Sequence, residues 1–247
     1  MNPIVIIPAR YQSTRFPGKP LAMLGDRPII RHVYDNACKA LDNVWVATDD
    51  DRIAEAVTGF GGKVIMTRAD HQSGTDRCAE AAEKLSTEVD FDVVINIQGD
   101  EPFVRVEQIT ALIDCFKDSE TEIATLIKKA EPDDLFNPNR PKVVTDIHSN
   151  AMFFSRSTIP YVRGKEKDQW ADNHTFFCHL GMYAYRFDIL KKLTALKPSL
   201  LEKAESLEQL RWLENGFSIK TAITIFESIG IDTPEDLEKA KEFIIDE

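Results

Sequence analysis

The first half of the chain alternates between two patterns. Runs that are apolar at nearly every position, "PIVIIP" (3–8), "VWVAT" (44–48), "KVIMT" (63–67) and "DVVINIQ" (92–98), are separated by "PIIRHVYDNACKAL", "DDRIAEAV" and "TDRCAEAAEKL", whose apolar residues recur at helical spacing. A strand that is apolar at successive positions has both faces covered, and parallel pairing of successive strands needs a crossover between them. The reading is a series of βαβ units. It predicts an α/β fold with a doubly wound, mostly parallel but mixed sheet of Rossmann type, helices on both faces and ligands at the carboxyl ends of the strands.

The second half is less regular. "EIATLIKK", "PKVVTD" and "AMFFS" read as strands joined by loops, and residues 160–178 are polar without an apolar period. The stretch from about 150 to 178 is therefore assigned to a small β-rich lobe within a single domain covering 1–247. "HLGMYAYR" (179–186) resumes a strand pattern. "PSLLEKAESLEQLRWLENG" reads as one helix, entered through Pro198 and Ser199 and stopped at Asn215-Gly216. Its expected buried stripe is Leu200, Ala204, Leu207, Leu210 and Leu213, with Glu205 and Gln209 on the solvated side and Arg211 nearer the stripe as an ion-pair partner. A strand near "SIKTAIT" and a helix from "DTPEDLEKAKEFI" follow, the latter with Thr233 as N-cap and Pro234 at its first position.

Composition narrows the function. A chain of 247 residues, 43% hydrophobic, buries roughly three quarters of its extended surface and needs no staple. Cys38, Cys78, Cys115 and Cys178 form no C-x-x-C pair and no metal-ligand spacing, so they read as reduced, mostly buried thiols. "MNPIVIIPAR" has no basic stretch ahead of its short apolar run, and no segment approaches the roughly 20 apolar residues that cross a bilayer. The expectation is a cytoplasmic protein without a membrane partner. With 41 acidic against 30 basic side chains and a net charge of −11, the chain repels nucleic acid and anionic lipid. An anionic ligand must meet a local cluster of cations.

"IIPARYQSTRFPGKPL" (6–21) supplies one: it leaves the first strand with Arg10, Arg15 and Lys19 in a single loop, a set able to surround a polyphosphate. It is not a Walker loop, because Pro20 stands where the magnesium-binding Ser or Thr belongs, and it lacks the dinucleotide fingerprint. Two more loops fall on the same rim. "TRADHQSGTDR" (67–77) offers Arg68, His71, Ser73 and Gly74 to a base or sugar edge, and "QGDEP" (98–102) places Asp100 straight after a buried strand, where a carboxylate can hold Mg²⁺. Each has a plainer reading, as a solvated turn, a hydrogen-bonding loop histidine or a tight Gly-Asp turn. The convergence of all three on one rim carries the argument.

Taken together, "IIPARYQSTRFPGKPL", "TRADHQSGTDR", "NIQGDEP", "FNPNRPKVV", "FFSRSTIP", "HLGMYAYR", "LEQLR" and "IDTPEDL" resemble, in the same order, the 3-deoxy-manno-octulosonate cytidylyltransferases, also called CMP-Kdo synthetases. The resemblance runs from residue 4 to about 240. In looser form the opening loop is also similar to that of CMP-sialic acid synthetases, while "HLGMYAYR" and "LEQLR" favour the Kdo branch. The resemblance implies that the anomeric 2-hydroxyl of Kdo attacks the α-phosphorus of CTP, giving CMP-Kdo for lipopolysaccharide assembly and pyrophosphate. It implies Arg10 and Lys19 at the β and γ phosphates, and Asp100 with Asp232 as Mg²⁺ ligands and part of the catalytic set. Arg15 matches the motif, with an internal ion pair as its other reading, and Asp232 has helix capping as its rival role.

Pro8, Ala9, Arg68, Ser73 and Gln98 are implied at the base, with His71 and Gly74 on the nucleotide side. Arg156, His179, Tyr183, Glu208 and Gln209 match the family's sugar side, although Tyr183 alternates with Met182 and Ala184 as a packed strand residue also would. A homodimer is implied, touching through the 150–178 lobe with Trp170 and Phe176-Phe177 as anchors. Arg140-Pro141, Met182 and Ala184 depart from the family pattern and leave 8-amino-Kdo open as the sugar. Two other classes stay open: a nucleotide-hydrolysing switch, which Pro20 disfavours, and a non-catalytic binding module, which has no use for the Asp100 and Asp232 pair.

Overall fold

A computed structural model of the chain describes residues 1–245. In chain order the elements are β1 (Pro3–Ala9), β2 (Met23–Leu24), β3 (Arg27–Pro28), α1 (Ile29–Cys38), β4 (Val44–Thr48), α2 (Asp51–Gly59), β5 (Val64–Met66), α3 (Gly74–Leu85), β6 (Val93–Asn96) and α4 (Val106–Cys115). There follow β7 (Ile123–Lys129), β8 (Lys142–Thr145), β9 (Ala151–Ser155), α5 (Trp170–Asn173), β10 (Phe177–Arg186), α6 (Phe187–Thr194), α7 (Leu200–Glu205), α8 (Gln209–Glu214), β11 (Ile219–Ile223) and α9 (Pro234–Ile245). They group into two compact units: Met1–Thr110, Ala184–Thr194 and Ser228 onward in the first, Ala111–Tyr183 and Ala195–Glu227 in the second.

In the first unit the strands lie in the order β6-β1-β4-β5, all parallel, with Val5 beside Val44 and Ile95, and Val46 beside Val64. Ile4, Val5, Ile6 and Ile7, like Val93, Val94 and Ile95, are wholly buried. Because neighbouring strand residues point to opposite faces, both faces of the sheet are covered. The sequence runs outward from β1 to β4 and β5, then returns through α3 to place β6 on the other side of β1. Strand order therefore reverses between β1 and β6, and the loops leaving their carboxyl ends flank the crevice where such sheets bind ligands. A Cβ at Gly99 would lie 2.8 Å from the Pro8 carbonyl oxygen, so glycine lets the two strand ends close up at that point.

In the second unit β11 runs parallel to β7, while β8 pairs antiparallel with both β10 and β9. The sheet is thus mixed and mostly parallel, as the patterning predicts. Two expectations fail here. Between β9 and β10 residues 160–176 hold no strand: Trp170 and Phe176, 4% and 2% exposed, pack with Leu135 into a small apolar cluster instead. They are spent on their own unit's core and are not available as anchors for a second copy.

The single helix from Pro198 to Gly216 also does not form. Ser206 adopts a left-handed backbone (φ 51°, ψ 48°) and divides α7 from α8. Tertiary bonds cause the break: the Arg156 guanidinium takes the carbonyls of Glu205 (2.6 Å) and Ser206 (3.2 Å). The Glu205 carboxylate meanwhile accepts from Ser155 Oγ and the Arg156 amide. The stripe shifts accordingly. Leu200 is 81% exposed, Leu207 and Leu210 are buried, and Gln209 is buried rather than solvated.

Candidate active site

The rim of the first unit begins where β1 ends. After Ala9 the chain crosses "RYQSTRFPG" and turns at Gly18, whose left-handed φ of 72° suits glycine, into a short 3₁₀ turn that buries Pro20 and aims Lys19 inward. Tyr11 lies against Gly18 and is covered by the Arg52 guanidinium 3.3 Å from its ring centre, while Asp50, the N-cap of α2, holds Arg52 at 2.9 and 2.7 Å.

Asp100 follows β6 and Asp232 precedes α9. The Ile231 amide donates to the Asp100 carbonyl at 2.9 Å, which ties the two segments together. Lys19 Nζ reaches both carboxylates, in contact with Asp100 and 3.2 Å from Asp232, and Arg15 adds an ion pair to Asp232 at 3.2 Å. Capping does not claim Asp232. Thr233 Oγ1 accepts from the Asp236 amide while Asp236 accepts from the amides of Asp232 and Thr233, so the cap is closed by Thr233 and Asp236. Next to this pair Glu101 is buried, which pushes its carboxyl up to about 7, with the Asp100 charge adding and Ser228 opposing.

One hollow is lined by Pro8, Ala9, Arg10, Arg15, Lys19, His71, Ser73, Gly74, Gln98, Asp100 and Asp232. Arg10, exposed, makes no ion pair among the described residues. Arg68 lies elsewhere: 70% exposed, its guanidinium pairs with Asp70 at 3.2 Å and borders a neighbouring hollow, because its amide is drawn toward α3. Sequence reasoning missed Ser13 and Gln72, which line the same hollow, and the buried Arg77, which donates to Thr67 Oγ1 and faces Asp49 at 2.9 Å. Arg77 and Glu80, three apart on α3, share one helix face, and that spacing is the signal the sequence carried for them.

The sugar-side set belongs to the second unit. His179 is half-buried; desolvation drives its imidazole down to about 3, and Thr125 Oγ1 lies 3.0 Å from its Nε2. The His179 and Tyr183 rings are 5.3 Å apart, and Tyr183 meets Trp212 edge to face at 5.1 Å. Burial raises the Tyr183 hydroxyl, and the Glu208 charge raises it further. Glu208 pairs with Arg211 at 2.7 Å, which makes Arg211 a structural ion-pair partner. Gln209 is 4% exposed and its Nε2 has no hydrogen-bond partner among the described residues. Arg156 gives its donors to backbone carbonyls, Pro138 at 2.9 Å included.

Cations in contact with two carboxylates at the switch point of a doubly wound sheet suit a nucleotide polyphosphate, the ligand of a nucleotidyltransferase. The family model for cytidylyltransferases matches residues 4–229. A 3-deoxy-manno-octulosonate cytidylyltransferase of Parabacteroides distasonis is 57% identical over 99% of this chain and 98% of its own, and one of Thermodesulfovibrio yellowstonii is 52% identical over 98% and 97%. A solved structure of CMP:2-keto-3-deoxy-manno-octonic acid synthetase complexed with CTP superposes with a TM-score of 0.92 at 41% identity, covering 100% of this chain and 99% of that one. A cytidylyltransferase from Leptospira borgpetersenii, 19% identical with a TM-score of 0.64, shares the fold. The chain belongs to the cytidylyltransferase family and, within it, to the 3-deoxy-manno-octulosonate cytidylyltransferases.

Proposed function

We propose that the chain activates 3-deoxy-manno-octulosonate with CTP, giving CMP-Kdo and pyrophosphate. The observation that carries this reading is the meeting of Lys19, Asp100, Asp232 and Arg15 on one rim, within a chain of this family. In the reaction the anomeric oxygen of the sugar bonds to the α-phosphorus, the bond from that phosphorus to the bridging oxygen breaks, and the hydroxyl proton is released. Negative charge grows on the departing pyrophosphate. Arg10 and Lys19 therefore stabilise the transition state more than the ground state when they face the β and γ phosphates.

Asp100 and Asp232 fit a hard divalent cation such as Mg²⁺. Both already converge on a single ammonium group, and Mg²⁺ typically takes one or two carboxylates with phosphate oxygens and water completing its shell. Held by these two carboxylates, such an ion would supply Lewis-acid polarisation of a phosphate and would acidify a nearby hydroxyl. With the carboxylates so engaged, Lys19 would be free to donate to phosphate oxygens, while Arg15 would brace Asp232. His179, with a pKa of about 3, is too weak a base near neutrality to take the hydroxyl proton.

The sugar acid falls to the second unit's set, where the buried, unpartnered Gln209 Nε2 is the kind of donor a sugar hydroxyl satisfies. No helix among the described residues is long and apolar enough to cross a membrane. We place the enzyme in the cytoplasm as a homodimer supplying lipopolysaccharide assembly. Pyrophosphate release measured with CTP, Kdo and Mg²⁺ tests the reading. Release is expected only with all three present; phosphate release without the sugar, or turnover of 8-amino-Kdo or sialic acid equal to that of Kdo, overturns it.

A further inference from the structure

The loop that brings His71 to the nucleotide hollow is stitched to one side of α3. Lys84 Nζ donates to the Met66 carbonyl at 2.7 Å, Arg77 to Thr67 Oγ1 at 2.6 Å, and Asp76 accepts from the Ser73 amide at 3.2 Å. Glu80 is the centre of this set. Both its oxygens accept from the Arg68 amide at 3.2 Å, and one meets His71 Nε2. The two side chains are 15% and 7% exposed, so the pair is shielded from water.

A carboxylate in such a place is costly unless its oxygens are occupied. Burial alone would raise the Glu80 carboxyl, but the Lys84 ammonium, the Arg68 amide and His71 outweigh it and hold the group at about 2. It is charged at any working pH and only accepts, so the His71 nitrogen facing it carries a proton. Beyond His71 the chain passes Ser73 and Gly74, where a Cβ would lie 3.3 Å from Pro8 and 3.4 Å from the Gln98 Oε1, at the heart of the same hollow.

We infer that Glu80 is a positioning residue for nucleotide binding: it holds the Arg68 amide and the His71 ring from behind and so fixes the 67–73 loop in the shape that meets CTP. The inference rests on the proposed CTP-dependent reaction. Glu80 touches no substrate in this account and acts through the Arg68 amide and the His71 ring.

Glu80→Gln tests it, because the carboxamide has the same shape but exchanges one acceptor for a donor. The variant is expected to raise the KM for CTP about tenfold while kcat and the KM for Kdo stay within about twofold. Glu83→Gln, on the same helix and 66% exposed, is the control and stays at wild-type values. The double variant Glu80→Gln/His71→Ala should lose less CTP affinity than the two single losses combined. A wild-type KM for CTP in Glu80→Gln, or losses that add in the double variant, overturns the inference. If Glu80→Gln does not fold, Glu80→Asp, which keeps the charge, enters the same cycle with the same two outcomes. Wild-type enzyme that turns over no CTP with Kdo would instead sink the underlying reaction, so the two failures are distinct.

Discussion

On the rim of the first unit the charged side chains are held by one another: Lys19 spans two aspartates, Arg15 leans on one of them, and Arg10 is exposed. In the second unit the polar candidates are committed to the fold. His179 is half-buried and neutral, Arg156 is spread over backbone carbonyls, and Glu208 is paired with Arg211. The first arrangement suits a ligand that brings large charge and can compete for loosely held groups. The second is held in place by its own contacts, so a change there acts first on the fold.

That contrast predicts where damage is greatest. Asp100→Asn should lower CTP- and Kdo-dependent pyrophosphate release about a thousandfold with an unchanged melting temperature. A loss of only a few fold would make the rim a bystander. At His179 the second unit should fail through stability and pH instead. Below pH 6.5 the unfolded chain protonates His179 while the folded chain, with its value near 3, does not. Stability therefore falls as pH drops from 6.5 toward 3, by on the order of 3 kcal/mol at pH 4. In His179→Asn this part of the acid loss should vanish from denaturant curves recorded at pH 6.5 and pH 4. An identical acid slope would show that the folded chain does not resist protonation of this ring.

Arg156→Lys should sharpen the comparison further. A lysine cannot fork across the carbonyls of Pro138, Glu205 and Ser206, so the KM for Kdo should rise about tenfold with the KM for CTP unchanged. Equal changes for both substrates would erase the division of labour. The smallest effect is expected from Arg52→Ala, which uncovers Tyr11 and loosens the turn at Gly18: the KM for CTP should rise about threefold and kcat hardly change, by steady-state kinetics.

The same contrast explains what the sequence made legible. The rim could be read because its loops directly follow strands, and strand order alone brings the ends of β1 and β6 together. Asp232 was harder. Its rival role as a cap is settled only by Thr233 and Asp236 closing the helix between themselves. The second unit could not be read in the same way, because its features arise from contacts distant in sequence. Helical periodicity favours one long helix from Pro198, and only the reach of Arg156 to Glu205 and Ser206 breaks it. Gln209, polar and opposite the leucines, reads as solvated until that break turns it inward. Arg68 was misplaced for the converse reason: a cation in a promising loop was drawn away by acidic partners, Asp70 beside it and Glu80 on α3.

A structure of the chain with CTP and Mg²⁺ tests the central claim most directly. The account predicts the triphosphate against Arg10 and Lys19 with the ion held by Asp100 and Asp232. A triphosphate seated away from these four side chains would contradict it.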